Sequence, residues 1–222
     1  MSEVTRPAML AALRMTVRGG LAGVWVRGPR PAGRTVWAAN HHSWWDPFIA
    51  GALLTAAGQR MVLLADVANV HRYQFARRIG VVGADEPRAA LAAVRGGAVL
   101  VIYPEGRLLP AGPPGPLAPG AAWFAARAPA RLCSVAVRVL VRGRQYPEAY
   151  VVFSEVDADG PPAEATRRLR ERLRADLGDV DRLSATAEPR QPLPGFSRVV
   201  RGRRSWDERV DAARDWLPWL PR

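Results

Sequence analysis

The sequence predicts an α/β fold: a layered αβα domain with a central, mostly parallel sheet flanked by helices, and an amphipathic helix at each terminus. Two observations support this prediction. Short apolar runs, typical of buried strands, alternate with segments of helical periodicity over residues 35–155. The chain has 222 residues, of which 49% are hydrophobic and 23% charged, which suffices for one domain with a sizeable core.

Strands are predicted where apolar runs are bounded by glycine, proline or charged residues. In chain order these runs are 23–27, 35–39, 61–65, 80–84, 98–103, 132–140 and 149–153. The run 98–103 is apolar throughout, so we expect it at the centre of the sheet with both faces covered. Cys133 lies in another apolar run, which predicts a buried, inert thiol rather than a disulfide.

Helices are predicted from apolar residues with a period near 3.6 and from start signals. Pro87 occupies a permitted first-turn position, and Ser205 with Glu208 matches a capping box. The predicted helices are 7–19, 48–57, 72–78, 87–95, 120–127, 166–177 and 205–217. Residues 108–118 contain four prolines and two glycines, which predicts a loop.

Three parts are expected along the chain. Residues 1–22 form an N-terminal amphipathic helix, 23–178 the α/β domain, and 179–222 an irregular connector followed by a C-terminal amphipathic helix. No run of about 18 apolar residues predicts a spanning helix. The arginines among the first apolar residues do not fit a secretion signal, so we expect a cytoplasmic protein at the inner face of the cell membrane.

The net charge of +12 comes from 32 basic residues, all of them arginine. A positive surface attracts nucleic acids, phosphorylated substrates or anionic lipids. The arginines are scattered, and the stacking platforms and basic helices of nucleic-acid readers are missing, so no nucleic-acid partner is expected. The densest arginine cluster, between 198 and 204, lies in the connector.

Tryptophans and neighbouring arginines favour peripheral contact with an anionic membrane surface. The residues concerned are Trp44, Trp45, Trp206, Trp216 and Trp219. Burial of the same tryptophans against the sheet is the alternative, which the sequence leaves open.

The segment 39–47 places His41 five positions before Asp46, at a predicted junction between strand and helix. A neutral imidazole held by a carboxylate can take a proton from a hydroxyl near neutral pH. In a simpler interpretation Asp46 is an N-cap, Pro47 follows at the first helical position and His41 is structural. His42 is expected to be structural. With three histidines and one cysteine in the chain, no metal site is expected.

A second polar group, Glu105-Gly106-Arg107, follows the central predicted strand, and Glu105 comes 64 residues after His41. Functional groups of α/β sheets gather at the carboxyl edge of the strands. Glu105 could accept a hydrogen bond from an acceptor hydroxyl or buttress the sheet edge. Gly106 permits close approach of a ligand or a turn with positive φ, and Arg107 could hold a phosphate.

These two groups resemble motifs of the glycerolipid acyltransferase superfamily, best known for 1-acylglycerol-3-phosphate acyltransferases. The first family motif, Asn-His-x-Ser-x-x-Asp, is matched by Asn40, His41, Ser43 and Asp46. The third, Phe-Pro-Glu-Gly-Thr-Arg, is matched loosely by 103–107, with tyrosine first and no threonine. Residues 120–136 resemble the fourth block, with serine or cysteine in place of its proline. The resemblance covers residues 35–145.

The resemblance implies O-acyl transfer without a cofactor or acyl-enzyme. His41 is then the general base, Asp46 orients its ring, and the acceptor hydroxyl attacks the thioester of acyl-CoA or an acyl carrier protein. Backbone N–H groups around Ser43–Asp46 or Gly106 would stabilise the oxyanion. The residues expected to contact substrates are Asn40, Ser43, Tyr103, Glu105, Gly106, Arg107 and Arg88.

The second family block departs from its pattern. The arginine that grips the acceptor phosphate is absent after Gly80–Ala84, where Asp85 and Glu86 stand instead. Arg88, Arg77 or Arg78 are the candidates to replace it. Two acceptors therefore remain open: a lysophospholipid, or a non-phosphorylated hydroxyl of a glycolipid, an acyl amino acid or a glycosylated isoprenoid. A basic binding protein without enzymatic activity is the third interpretation.

Overall fold

The computed structural model describes residues 5–214, which form seven α-helices, one 3₁₀ helix and one eight-stranded sheet. The helices are α1 Thr5–Gly20, α2 Asp46–Ala56, α3 Val67–Arg72, α4 Pro87–Arg95, α5 Gly120–Arg127, α6 Pro162–Thr186 and α7 Trp206–Arg214, with the 3₁₀ helix at Gln74–Ile79. The strands are β1 Gly23–Arg27, β2 Thr35–Ala39, β3 Met61–Ala65, β4 Val81–Gly83, β5 Val99–Ile102, β6 Arg131–Leu140, β7 Glu148–Val156 and β8 Ser197–Arg201.

The sheet order is β4-β3-β5-β2-β6-β7-β1-β8. Five of the seven pairings in the described residues are parallel, and β6–β7 and β1–β8 are antiparallel. Because β7 and β1 run opposite to β2–β6, the carboxyl ends of β2, β3, β4, β5 and β6 share one edge of the sheet. The predicted mostly parallel α/β fold is confirmed.

Alternating side chains of each strand divide the core into two layers, as a sheet covered on both faces requires. On one face, Trp37 of β2 and Val101 of β5 pack with residues of α1 and α2. On the other, Val36 and Leu100 pack with α4, α5 and α6. All four residues of β5 are buried between β3 and β2, as predicted for the central strand.

The end of α1 lies directly against the segment that carries the histidines. A Cβ added to Gly20 would come 2.1 Å from Cη2 of Trp45, so a larger residue at this position would have to displace the indole. Among residues 5–214, no helix combines the length and apolar character needed to cross a bilayer.

Most element boundaries match the prediction within one or two residues, but the C-terminal third differs. The predicted irregular connector is wrong: α6 continues to Thr186, past the expected domain boundary at 178, and β8 adds an edge strand to the sheet. The helix predicted over 72–78 is observed as the 3₁₀ helix Gln74–Ile79, which follows the end of α3 at Arg72. The end of the predicted last helix, with Trp216 and Trp219, lies outside the described residues.

Cys133 is fully buried in β6, as predicted. Burial raises the pKa of its thiol to about 12, so the group is neutral and unreactive in the folded protein.

Candidate active site

The two polar segments meet at the carboxyl edge of the sheet. β2 and β5 are parallel neighbours, with Ala38 opposite Ile102. The segments that follow them, 40–46 and 103–107, therefore leave the sheet side by side. Parallel pairing alone thus brings His41 and Glu105 together across 64 residues of sequence.

His41 and Asp46 form a hydrogen-bonded pair. The Nδ1 atom of His41 lies 2.9 Å from Oδ2 of Asp46, as the sequence predicted. The Asp46 side chain is fully buried, whereas that of His41 is 23% exposed. A buried carboxylate thus holds an imidazole that is itself partly exposed, an arrangement suited to a general base.

Asp46 does more than orient the ring. Its Oδ2 atom also accepts hydrogen bonds from the backbone N–H groups of His42 and Ser43, both at 2.9 Å. The interpretation of Asp46 as an N-cap is wrong: Trp45 is the N-cap and Asp46 is the first residue of α2. Its carboxylate points back along the chain and fixes the loop that carries His41.

Glu105 ties two loops together. Its Oε2 accepts a hydrogen bond from the backbone N–H of His41 at 2.7 Å, and its Oε1 accepts one from Gly115 at 2.9 Å. The N–H of Leu109 in turn donates to the carbonyl of His41 at 2.8 Å. These contacts support the buttressing role that the sequence offered for Glu105 as an alternative to binding the acceptor.

Asn40 and Ser43 are engaged within the protein. The buried Asn40 amide accepts from Val137 N–H at 2.7 Å and donates to Val137 carbonyl at 3.1 Å, which extends the pairing of β2 with β6. The hydroxyl oxygen of Ser43 accepts from Trp45 N–H at 3.2 Å. Both residues shape the loop around His41, and the geometry gives Asn40 no exposed polar atom for a substrate.

The ring of His42 lies between β2 and β6. Its Nε2 atom is 3.2 Å from Val139 N and its Nδ1 atom 3.1 Å from the Asn40 amide nitrogen. Burial lowers the pKa of His42, with Asp46 opposing this shift and Arg138 adding to it. A neutral ring accepts only one of the two donors. His42 is thus a structural residue, in agreement with the prediction.

Tyr103 packs against the base instead of facing the solvent. Its ring stacks on that of His41, with 4.3 Å between centroids and 25° between planes. Its hydroxyl is buried and has no hydrogen-bond partner among the described residues. Burial, with the nearby charge of Asp46, raises the pKa of Tyr103 well above its ordinary value, so the phenol stays protonated. These contacts do not place the hydroxyl in reach of a substrate.

The backbone donors expected for an oxyanion are mostly occupied. Besides His42 and Ser43, the N–H groups of Asp46 and Gly106 donate to the carbonyls of Ser43 and Tyr103. Gly106 has a φ of 69°, and a Cβ added there would meet nothing within 4 Å. Its role is therefore the turn with positive φ, in which other residues are strained.

Of the arginines proposed to contact a substrate, Arg107 is near the base and Arg88 is not. Arg107 follows β5, next to β2, and its side chain is exposed. Arg88 is in α4, which follows β4, and β4 lies three strands from β2, a separation of roughly 14 Å at about 4.8 Å per strand. Arg77 forms an ion pair with Glu86, with 2.8 Å between nitrogen and oxygen. Arg107 is thus the best placed of these residues to reach a group at His41.

Sequence reasoning missed a small cavity behind the pair and the supporting contacts of β6. The cavity lies between the sheet and α2, and its lining includes Asp46, Tyr103, Trp37 and Val135. Parallel pairing of β2 with β6 could have indicated the Val137 and Val139 contacts, whereas nothing in the sequence signals the cavity. Among residues 5–214, no cluster of three or more His, Cys, Asp or Glu residues could hold a metal ion.

Two comparisons with known proteins give matches. The family model described as Acyltransferase matches residues 24–138, just over half of the chain. The crystal structure of the 1-acyl-sn-glycerophosphate (LPA) acyltransferase PlsC from Thermotoga maritima is similar to this fold, with a TM-score of 0.60 and 16% sequence identity over 81% of this chain and 82% of that one. No curated protein sequence matches the chain.

Proposed function

Because the chain belongs to the acyltransferase family, we propose that it moves a fatty acyl group from a thioester to the hydroxyl of a lysophospholipid resembling 1-acylglycerol-3-phosphate. It is an acyltransferase that transfers groups other than aminoacyl groups. The observation that carries the proposal is the pair formed by Nδ1 of the partly exposed His41 and Oδ2 of the buried Asp46, which lie 2.9 Å apart.

In the proposed mechanism, Nε2 of His41 takes the proton of the acceptor hydroxyl while the oxygen attacks the thioester carbonyl. Asp46 keeps the proton of the neutral ring on Nδ1 and stabilises the imidazolium that forms. Collapse of the tetrahedral oxyanion forms the ester and expels the thiolate, which takes the proton from Nε2. The ring returns to its starting state, and no acyl-enzyme is needed.

The donor is proposed to be acyl-CoA or an acylated acyl carrier protein, because both present the same thioester to the base. Either donor is anionic, which suits a chain of net charge +12. The chemistry at His41 is the same for the two, so they differ only in what contacts the surface around the site.

Arg107 supports a phosphorylated acceptor. It follows the strand next to β2, is exposed, and makes no hydrogen bond or ion pair with the residues the structure describes. A free guanidinium beside the base can hold a phosphate by paired hydrogen bonds. The acidic Asp85–Glu86 turn does not oppose this, because it follows β4, three strands from β2, and Glu86 is already paired with Arg77.

We further propose peripheral contact with an anionic membrane, at the inner face of the cell membrane. Exposed apolar side chains stand in the segments that follow β2, β5 and β3. They are Trp44, Leu108 and Phe75, with 61%, 55% and 59% of their surface exposed. Arg72, Arg78 and Arg107 lie in the same segments and suit anionic headgroups.

The enzymatic proposal is tested by acyl transfer with purified protein, an acyl-CoA or acyl carrier protein donor, and 1-acylglycerol-3-phosphate as acceptor. We expect turnover that His41→Ala reduces by at least a thousandfold, since the base is removed. His71→Ala, an exposed histidine on α3, is the control and should retain full rate. Equal rates for wild type and His41→Ala would refute the mechanism. Faster transfer to a glycolipid or to another non-phosphorylated lipid would show that this lipid, and not the lysophospholipid, is the acceptor.

The membrane proposal is tested by co-sedimentation with vesicles of phosphatidylglycerol or of phosphatidylcholine. Binding should be stronger to the anionic vesicles and should weaken as salt is added. Serine at positions 44, 75 and 108 together should weaken binding at least tenfold. Serine at the exposed Trp206, which follows β8 at the far end of the sheet, should have less effect. No binding to either vesicle would refute the contact.

A further inference from the structure

We propose that Arg138 of β6 is a positioning residue for the base: it holds the proline-rich loop, residues 108–118, and this loop holds the backbone of His41. Asp181 of α6 in turn fixes the side chain of Arg138. This role deepens the proposed function and rests on it, since it requires His41 to be the base. It gives a part in the reaction to two residues outside the segments 40–46 and 103–107.

The side chain of Arg138 is buried and oriented by an ion pair. Only 3% of it is exposed, and its Nε and Nη2 atoms lie 2.6 and 2.8 Å from the two carboxylate oxygens of Asp181. A planar guanidinium that keeps both of these contacts has a single orientation. Asp181 lies beyond residue 178, in the part of α6 that the sequence predicted to be an irregular connector.

The same guanidinium reaches the proline-rich loop. Nη2 of Arg138 donates a hydrogen bond to the carbonyl oxygen of Gly112 at 2.7 Å. A second arginine, Arg170 of α6, donates from Nε to the carbonyl oxygen of Gly115 at 3.1 Å. Arg138 therefore attaches the loop to β6, and Arg170 attaches it to α6.

On its other side, the loop is bonded to the segment that carries the base. The N–H of Leu109 donates to the carbonyl oxygen of His41 at 2.8 Å. The N–H of Gly115 donates to one carboxylate oxygen of Glu105, whose other oxygen accepts the N–H of His41. Both backbone polar groups of His41 are thus bonded to the loop, one directly and one through Glu105.

The middle of the loop depends on Arg138. Residues 110–114 are Pro-Ala-Gly-Pro-Pro, and the three prolines have no N–H to donate. Among the described residues, the contact of Arg138 with Gly112 is the one hydrogen bond that residues 110–114 make. Pro114 is buried and adds apolar packing, which is less directional than a hydrogen bond. Arg138 therefore fixes the part of the loop that lies between its two attachments to the site.

Loss of Arg138 would act on the chemical step through this loop. The His41 ring would keep its contact with Asp46, but the backbone that carries the ring would be held less firmly. A displacement of about 1 Å at a reacting group can cost about a hundredfold in rate. The thioester does not depend on Arg138 for binding, because this side chain is buried under the loop. We therefore expect an effect on kcat and little effect on the KM for the donor.

The first test is Arg138→Met, which keeps a buried stem and removes every donor. We expect kcat to fall at least about tenfold, with the KM for the donor within about twofold. Arg138→Lys keeps the charge but not the forked geometry, and it should recover part of the loss. Assays at pH 8 keep His42 neutral in each protein, since burial lowers its pKa and the charge of Arg138 adds to this. A wild-type kcat in Arg138→Met would overturn the proposal.

A matched pair of variants on α6 separates this role from general support of the fold. Asp181→Asn weakens the hold on Arg138, and we expect kcat to fall several-fold. Asp179→Asn, the control, removes an ion pair between α6 and Arg27 of β1, and it should retain the wild-type kcat. Asp181 is half exposed, so its variant is expected to fold even if Arg138→Met does not. An equal loss of kcat in the two asparagine variants would overturn the proposal.

Hydrogen exchange tests the attachment without substrate. The amide of Leu109 should exchange at least about tenfold faster in Arg138→Met than in wild type, and Asp179→Asn should leave its rate unchanged. Unchanged exchange in Arg138→Met would refute the attachment. Faster exchange with no acyl transfer by the wild-type protein would uphold the attachment of the loop while the proposed function fails.

Discussion

The carboxylate of Glu105 accepts a hydrogen bond from the backbone N–H of His41, with 2.7 Å between Oε2 and nitrogen. Its other oxygen holds the N–H of Gly115. One side chain thus joins the loop after β2 to the proline-rich loop after β5. The base keeps its place because the backbone around it is bonded on several sides, beyond what the sheet itself provides.

Glu105→Gln is expected to weaken this junction. The amide keeps one acceptor oxygen and turns an NH₂ group toward the other N–H donor, which loses its partner. We expect the free energy of unfolding to fall by about 1–3 kcal/mol and kcat to fall because His41 is less well held. Denaturant unfolding and steady-state rates measure the two effects. Glu188→Gln, an exposed glutamate after α6, should change neither; unaltered stability in Glu105→Gln would contradict the buttressing role.

Asp46→Asn should affect chemistry and folding together. An amide at this position loses the charge that stabilises the imidazolium, and it can hold His41 in the wrong tautomer. The same change in a serine protease triad lowers kcat by about 10⁴-fold, and we expect a loss of at least about a hundredfold here. KM for the donor should stay within about twofold. Retention of more than a tenth of the wild-type kcat would show that Asp46 is only structural.

The stability of the protein is expected to fall as the pH drops below 6.5, and His42 contributes to that fall. Because burial lowers the pKa of His42 below its ordinary value of 6.5, the unfolded chain takes up the proton more readily than the folded one. The folded state therefore loses stability from about pH 6.5 down through the lowered pKa. His42→Gln, which keeps an acceptor for Val139 N–H, should show a smaller loss of the melting temperature between pH 7.5 and 5.5. An equal loss in both proteins would contradict this assignment.

Arg107→Ala is expected to raise the KM for a phosphorylated acceptor by about tenfold to a hundredfold, the value of hydrogen bonds to a charged group. KM for the acyl donor should change less. Arg88→Ala should leave both constants within about twofold, because β4 lies three strands from β2. Steady-state kinetics with lysophosphatidate measure both variants. A larger effect at Arg88 than at Arg107 would mean that the phosphate lies toward β4.

The elements that the sequence predicted well are those whose pattern is set by burial. Strands such as Thr35–Ala39 are apolar because both faces are covered, and this apolar run can be recognised without knowing which strands pair with it. β8, Ser197–Arg201, was missed because this edge strand has a polar sequence with two arginines and pairs only with β1. The end of α6 was missed because most of its residues after Leu177 are polar or small and lie toward the solvent, so the apolar periodicity that predicts a helix is weak there.

The candidate site was predictable where it depends on spacing along the chain. His41 and Asp46 are five residues apart, and a strand followed by a helix brings them together locally. The roles of Asn40 and Tyr103 could not be predicted, because they depend on β6 and on the packing of α2, which are distant in sequence. A motif identifies the residues at a site but not which of their atoms remain free.

The contact between Gly20 and Trp45 couples the first helix to the residue that immediately precedes Asp46. With no room for a side chain between them, a movement of the end of α1 toward Trp45 would push the indole. A displacement of α1 would consequently be transmitted to Asp46 through the indole of the neighbouring Trp45. Truncation or displacement of the first helix should then change the turnover rate rather than the substrate specificity.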